Sequence, residues 1–247
     1  MPELIPNILA SVTARPKSGK NHFSYTWPAP IRVYCFNGGA EFVRNKAKFK
    51  DKKIDIINID TPIIEESEVA AGDHWAKDIW KKLNTQYKKD LSEKVYKTYI
   101  FDTGTELETL VRRNVTEIMI EESTKDRTKL AVNEYGDRNM IMYAIFDRAK
   151  KAGVNLIMLQ YVKEKWTKDS TGKPQPTGEI VMDGWAQTEA AVDVPLELEE
   201  KSVPDSKGQP RSVNILTIKP NRFSREMNRK TIQDATYDDL TATLFGG

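Results

Sequence analysis

Ile8-Leu9-Ala10-Ser11-Val12-Thr13-Ala14-Arg15-Pro16-Lys17-Ser18-Gly19-Lys20-Asn21-His22-Phe23 decides how the rest of the chain is read. An apolar, β-branched run gives way to a short loop with Pro, Gly and Lys, and the loop opens into a helical stretch. A phosphate-binding loop of the form G-x-x-x-x-G-K-[ST] needs this strand-loop-helix context. The Gly-Lys pair is present as Gly19-Lys20, preceded by Lys17 and Ser18. Gly19 lets the backbone approach an anion with no Cβ in the way. The amides of Ser18 to Asn21 are expected to point at phosphate oxygens from a helix start, and Lys20 to supply a point charge to the outer phosphates. Two positions depart from the pattern. Ala14 stands at the first glycine, and Asn21 stands where a hydroxyl would ligate magnesium.

Outward from this loop, composition sets bounds. The 247 residues carry 30% charged and 39% hydrophobic side chains, with a net charge of +2. That describes one large folded domain or a domain with an appendage, not a disordered chain. So small a net charge leaves any nucleic-acid contact to local patches. A single cysteine, Cys35, excludes an internal disulfide framework and fits a reducing compartment. Two histidines beside it leave no zinc cluster, while a carboxylate magnesium site stays open. Residues 1–6 lack the basic and apolar regions of a signal peptide, and no run approaches the roughly 20 apolar residues of a membrane span. The expectation is a cytoplasmic protein with no membrane partner.

Along the chain, Lys20 to Tyr25 reads as a short helix closed by Trp27-Pro28-Ala29-Pro30. Ile31 to Phe36 and Ile54 to Ile59 read as strands. From Asp73, the recurrence of Trp75, Ile79, Trp80, Leu83, Tyr87 and Leu91 predicts an amphipathic helix. Lys97 to Phe101 then reads as an apolar strand ending in Asp102-Thr103-Gly104-Thr105. A strand-terminal aspartate downstream of a phosphate loop is placed to hold magnesium through water. Glu106 to Ile120 and Met140 to Lys151 read as helices, with Glu121 to Arg138 as a polar loop and Gly153 as a helix stop. Leu156 to Tyr161 reads as a buried strand with a polar residue, Gln160, near its end.

That strand is expected to open into a loop, Lys163 to Pro174, in which Lys163, Lys165, Lys168 and Lys173 surround Trp166. Lysines on phosphates and an indole stacked on a base suit single-stranded DNA, although a mobile surface loop has a similar composition. Ile180 to Met182, Ala191 to Val194 and Ser212 to Ile218 read as late, partly antiparallel strands. Arg222, Arg225 and Arg229 belong to a basic C-terminal segment, and Thr236 caps a last short helix. The organisation expected is a core over residues 1–220, followed by a basic segment and short helix over 221–247.

With these pieces in order the chain resembles the phage-encoded RecA-like P-loop ATPases found beside recombination and single-strand-annealing genes. The likeness is carried by Pro16 to Lys20, by Trp27 to Ile31 leading to Gly38-Gly39, by Tyr99 to Thr103, and by Leu156 to Lys165, within residues 5–220. The resemblance implies an α/β RecA-like core, ATP with Mg2+ as cofactors, single-stranded DNA as partner, and homo-oligomers. It implies a phosphate site at Lys17, Ser18, Gly19, Lys20 and Asn21, metal at Asp102 and Asn21, and Gln160 as sensor of the terminal phosphate. Asn37 stands where the family commonly has an acidic residue before Gly-Gly, so weak or absent hydrolysis is expected. A non-hydrolysing DNA-binding or assembly protein is the alternative, with a small-molecule kinase a third reading.

Overall fold

The structure, a computed structural model, describes residues 5–62, 75–122 and 135–246. Asp73, His74 and residues 123–134 of the expected polar loop lie outside this range. Nine strands join one sheet in the order β3-β2-β4-β5-β1-β7-β8-β9, with β6 paired to β5. Six are mutually parallel: β1 (Leu9–Ala14), β2 (Ile31–Cys35), β3 (Ile54–Asn58), β4 (Thr98–Asp102), β5 (Asn155–Lys168) and β7 (Val194–Pro204). The antiparallel additions are β6 (Pro174–Asp183), β8 (Pro210–Ile218) and β9 (Thr231–Gln233). This is the expected α/β class, a mostly parallel sheet flanked by helices with late antiparallel strands.

Side-chain alternation divides the core. Ala10, Val12, Val33, Ile100, Ile157 and Leu196 face one side, where α1 (Lys20–Ser24), α2 (Ala40–Arg44) and α7 (Tyr237–Phe245) lie. Leu9, Tyr34, Tyr99, Phe101, Leu156 and Met158 face the other, under α3 (Trp75–Glu93), α4 (Gly104–Glu122) and α5 (Tyr135–Ala152). Strands buried on both faces read as continuous apolar runs, which is why β1, β4 and the start of β5 were visible as such. No helix among the described residues is long and apolar enough to cross a membrane.

Three expectations change. Tyr135 to Arg138 is the first turn of α5, not loop. Ala191 closes the short helix α6 (Thr188–Ala191), and the strand starts only at Val194. The Lys163–Lys168 stretch is no loop: β5 runs on to Lys168 and pairs with β6 as a hairpin. Its turn is held by Asp169, whose Oδ1 accepts from the amides of Thr171 and Lys173 at 2.8 and 2.9 Å. The β7–β8 turn repeats the device at Asp205, which accepts from Lys207 and Gln209 at 2.7 and 2.8 Å. Both ribbons project into solvent with no apolar face over most of their length. The hydrophobic period that marks a half-buried strand is therefore missing there.

Residues 221–246 are built into the same sheet and core. β9 extends the sheet beyond β8, and Thr236 and Asp239 form a reciprocal capping box that starts α7. Tyr237 packs on Trp27 with ring centroids 4.9 Å apart, and the Tyr237 amide donates to Thr26 Oγ1 at 2.8 Å. Leu240 is fully buried in the α1-side core. Leu240→Ala is expected to lower stability by about 2–5 kcal/mol in urea unfolding. A change near zero would show that α7 adds nothing to the core.

Candidate functional site

β1 ends at Ala14, and the chain turns through Arg15 to Gly19 into α1. Gly19 caps α1 in the left-handed region at φ 84°, and a Cβ there would meet Asn214 Nδ2 at 2.9 Å. The positive φ favours glycine at this position, and any side chain there would have to displace Asn214. The loop is braced by the Ser18 hydroxyl, which donates to the Arg15 carbonyl. Because α1 has only five residues, a helix macrodipole is a small contributor here, contrary to the expectation from sequence. The first amides of a helix nonetheless lack intrahelical partners, and Lys20 adds a full charge.

Alternation explains what surrounds Lys20. Asp102 lies on the same face of β4 as Ile100, the α1 side, and so meets the first turn of α1 although β5 separates β4 from β1. Asn21 Nδ2 donates to Asp102 Oδ2 at 2.8 Å. Lys20 Nζ donates back to the carbonyls of Ala14 and Arg15 at 3.2 and 3.0 Å, and stands 4.5 Å from the centroid of the Tyr161 ring. Burial lowers the Lys20 pKa to about 8, against the opposing pull of Asp102 and Glu106. Burial also raises the Asp102 carboxyl above its ordinary value, against the hydrogen bond from Asn21 and the charge of Lys20. A cleft of about 430 Å³ opens over this cluster, lined by Lys17, Gly19, Lys20, Asn21, Asp102 and Tyr161 among others.

Of the residues expected at the site, Lys17, Gly19, Lys20, Asn21 and Asp102 meet at this cleft, with Ser18 behind the loop. Gln160 does not line it. Its place in β5 puts it on the α4 side, fully buried, donating to Thr188 Oγ1 at 3.2 Å. The side chain that β5 presents to the cleft is the next one, Tyr161. Asn37 also lines the cleft, with its Nδ2 donating to Tyr161 Oη at 3.0 Å and its Oδ1 accepting from the Gly39 amide at 3.1 Å. Glu41, the carboxylate nearest in sequence, faces Asn58 and lines no part of the cleft. Sequence reasoning missed Tyr161, Glu106 and Asn214. The period-two alternation after Ile157 and Leu159 was the signal that could have found Tyr161.

The basic residues expected on DNA fall into two places. Lys163, Lys165, Trp166, Lys168 and Lys173 lie on the β5–β6 hairpin, beyond the carboxyl ends of the parallel strands. There Lys163 pairs with Asp183 and Lys165 with Glu179, each at 2.7 Å, while Trp166 is exposed. The ammonium groups of Lys168 and Lys173 are in no ion pair among the described residues. Arg222 lies at the other edge of the sheet, bonded to the Ala190 carbonyl at 2.7 Å and near Asp193. Arg225 and Arg229 follow it in the turn that leads to β9. Strand rise puts the two groups roughly 30 Å apart, so they do not form one patch.

No protein-family model matches the chain, and no curated protein is recognisably similar in sequence. Among solved structures it is similar to a KaiC-like protein of Pyrococcus horikoshii OT3. The TM-score is 0.43 at 11% identity, over 92% of this chain and 84% of that one. It is also similar to an ATPase of the type III secretion system of pathogenic bacteria. There the TM-score is 0.39 at 12% identity, over 78% of this chain and 52% of the other. Both similarities are remote, and the reading of the cleft stands on its own geometry: an α/β sheet with a Gly-Lys loop and a buried aspartate at its carboxyl edge.

The Lys20 shift has two consequences of opposite sign. Between about pH 8 and 10.5 the unfolded chain holds a proton at Lys20 that the folded chain has released. This term therefore favours folding as pH rises through that window. Anion binding needs the proton, so ADP affinity is expected to fall by about tenfold from pH 7 to pH 9. Lys20→Arg, which stays charged, flattens that profile. A wild-type profile that is itself flat would show that Lys20 does not carry the anion.

Proposed function

We propose that the protein is a RecA-like nucleotide-binding protein that acts on single-stranded DNA in recombination or replication and hydrolyses ATP slowly or not at all. The observation that supports this best is the convergence of Lys17, Gly19, Lys20, Asn21 and Asp102 on one cleft at the carboxyl edge of the sheet. Ligands favour that edge in open α/β sheets. In this reading ATP places its phosphates against the loop amides, and Lys20 leaves the Ala14 and Arg15 carbonyls to meet them.

Slow hydrolysis follows from the chemistry of Asn37. An amide takes no proton from water, and this one is already committed to Tyr161 and Gly39. Base assistance worth about 10²–10⁴-fold is absent from that position. The proposed DNA surface is the β5–β6 hairpin, where exposed Trp166, with Lys168 and Lys173, whose ammonium groups are in no ion pair among the described residues, suits a base face and two phosphates. Assembly with further copies in the cytosol belongs to the same proposal. A second reading, a DNA-binding or assembly protein that has kept only the fold, is favoured by one fact. Lys20 and Asn21 are both satisfied inside the protein, by loop carbonyls and by Asp102.

Lys20→Ala is expected to abolish ATP binding in titration calorimetry, and unchanged affinity would contradict the phosphate-loop assignment. On the hairpin, Trp166→Ala is expected to cost about 1–3 kcal/mol in single-stranded DNA affinity. Lys168→Ala with Lys173→Ala should flatten the salt dependence by about two counterions. Affinity untouched by all three changes would remove the hairpin from the DNA surface.

A further inference from the structure

Magnesium asks for near-octahedral oxygen ligands at about 2.0–2.1 Å, typically one or two carboxylates with water and phosphate. The cleft offers a different donor set. Among the described residues two carboxylates line it: Asp102 below the loop, and Glu200 on the β7–β8 ribbon, whose pairing partner Asn214 packs against Gly19. The position of the usual hydroxyl ligand is Asn21, and it turns nitrogen, not oxygen, toward Asp102 at 2.8 Å. That orientation is dictated by charge: the amide oxygen in the same place would face a carboxylate oxygen, two acceptors with no proton between them. Thr103 Oγ1, next to Asp102, is fully buried and absent from the cleft lining, and the Tyr161 hydroxyl that does line it accepts from Asn37. What departs from a magnesium site of the expected kind is the Asn21 position, where an amide donating to Asp102 replaces the hydroxyl ligand.

We infer that Asn21 stands in for the metal, bridging Asp102 to the phosphates, so that the cleft takes a nucleoside polyphosphate free of divalent cation. An amide carries two hydrogens. One is held by Asp102, and the second is available to a phosphate oxygen on the cleft side. A metal normally does two things between a strand-terminal aspartate and a nucleotide: it screens carboxylate from phosphate, and it fixes the distance between them. Asn21 does the second through hydrogen bonds. The first falls to Lys20 and Lys17, which line the same cleft. The inference builds on the nucleotide reading proposed above and adds its metal requirement.

The test is ADP binding by titration calorimetry to the full chain, in magnesium chloride and in EDTA, for the wild type, Asn21→Thr and Asn21→Ala. The wild-type dissociation constants are expected to agree within about threefold between the two media, while Asn21→Thr binds at least about tenfold tighter with magnesium than without. Asn21→Ala, with its melting profile checked by circular dichroism, is expected to lose affinity in EDTA. A wild type that binds about tenfold or more tightly only when magnesium is present overturns the inference and leaves the nucleotide site standing. Equal metal independence in Asn21→Thr and Asn21→Ala overturns it as well, because Asn21 would then have no part in it. Absence of ADP binding in both media overturns the nucleotide reading itself, and the inference with it.

Discussion

Asp102 sits two strands away from the strand that carries the loop, yet it reaches the first turn of α1 through one 2.8 Å hydrogen bond from Asn21. That contact is possible only because Ile100 and Asp102 share a face of β4, and because β1 turns toward the same face as it ends at Ala14. A shift of one residue in the register of β4 would send Asp102 into the α4 side and put Phe101 beside Lys20. The buried runs of β1, β4 and β5 make such a shift costly, so packing far below the cleft determines which charges meet in it.

Lys20 and Asp102 are buried charges of opposite sign, each pushed by desolvation toward its neutral form and each held back by the other. Buried ions are tolerated when they are hydrogen-bonded. Here the loop carbonyls of Ala14 and Arg15 satisfy the ammonium, and the Asn21 amide satisfies the carboxylate. A cluster closed on itself in this way is stable without a ligand and still has donors to offer one. The cation of Lys20 is the element of it that an anion would compete for.

Much of this was legible in the sequence, for identifiable reasons. β1, β4 and the start of β5 announced themselves because strands covered on both faces are buried throughout. Gly19-Lys20 and Asp102 were found because their spacing and strand context follow from the chemistry of phosphate and metal. What was lost lies where the period fails. The hairpin ribbons beyond Tyr161 and Leu198 bury little, so Lys163 to Lys168 looked like loop. Gln160 was assigned to the cleft by analogy, while alternation along β5 turns Tyr161 there instead. The orientation of Asn21 could not be read from its position at all, because it depends on a carboxylate 81 residues away.

The most direct measurement is a crystal structure of the full chain grown with an ATP analogue that resists hydrolysis. The account predicts phosphates seated against the Gly19 to Asn21 backbone, Lys20 Nζ withdrawn from the Ala14 and Arg15 carbonyls to a phosphate oxygen, and Asp102 still bonded to Asn21. A nucleotide found elsewhere on the molecule, with Lys20 unmoved on its own loop, would contradict it.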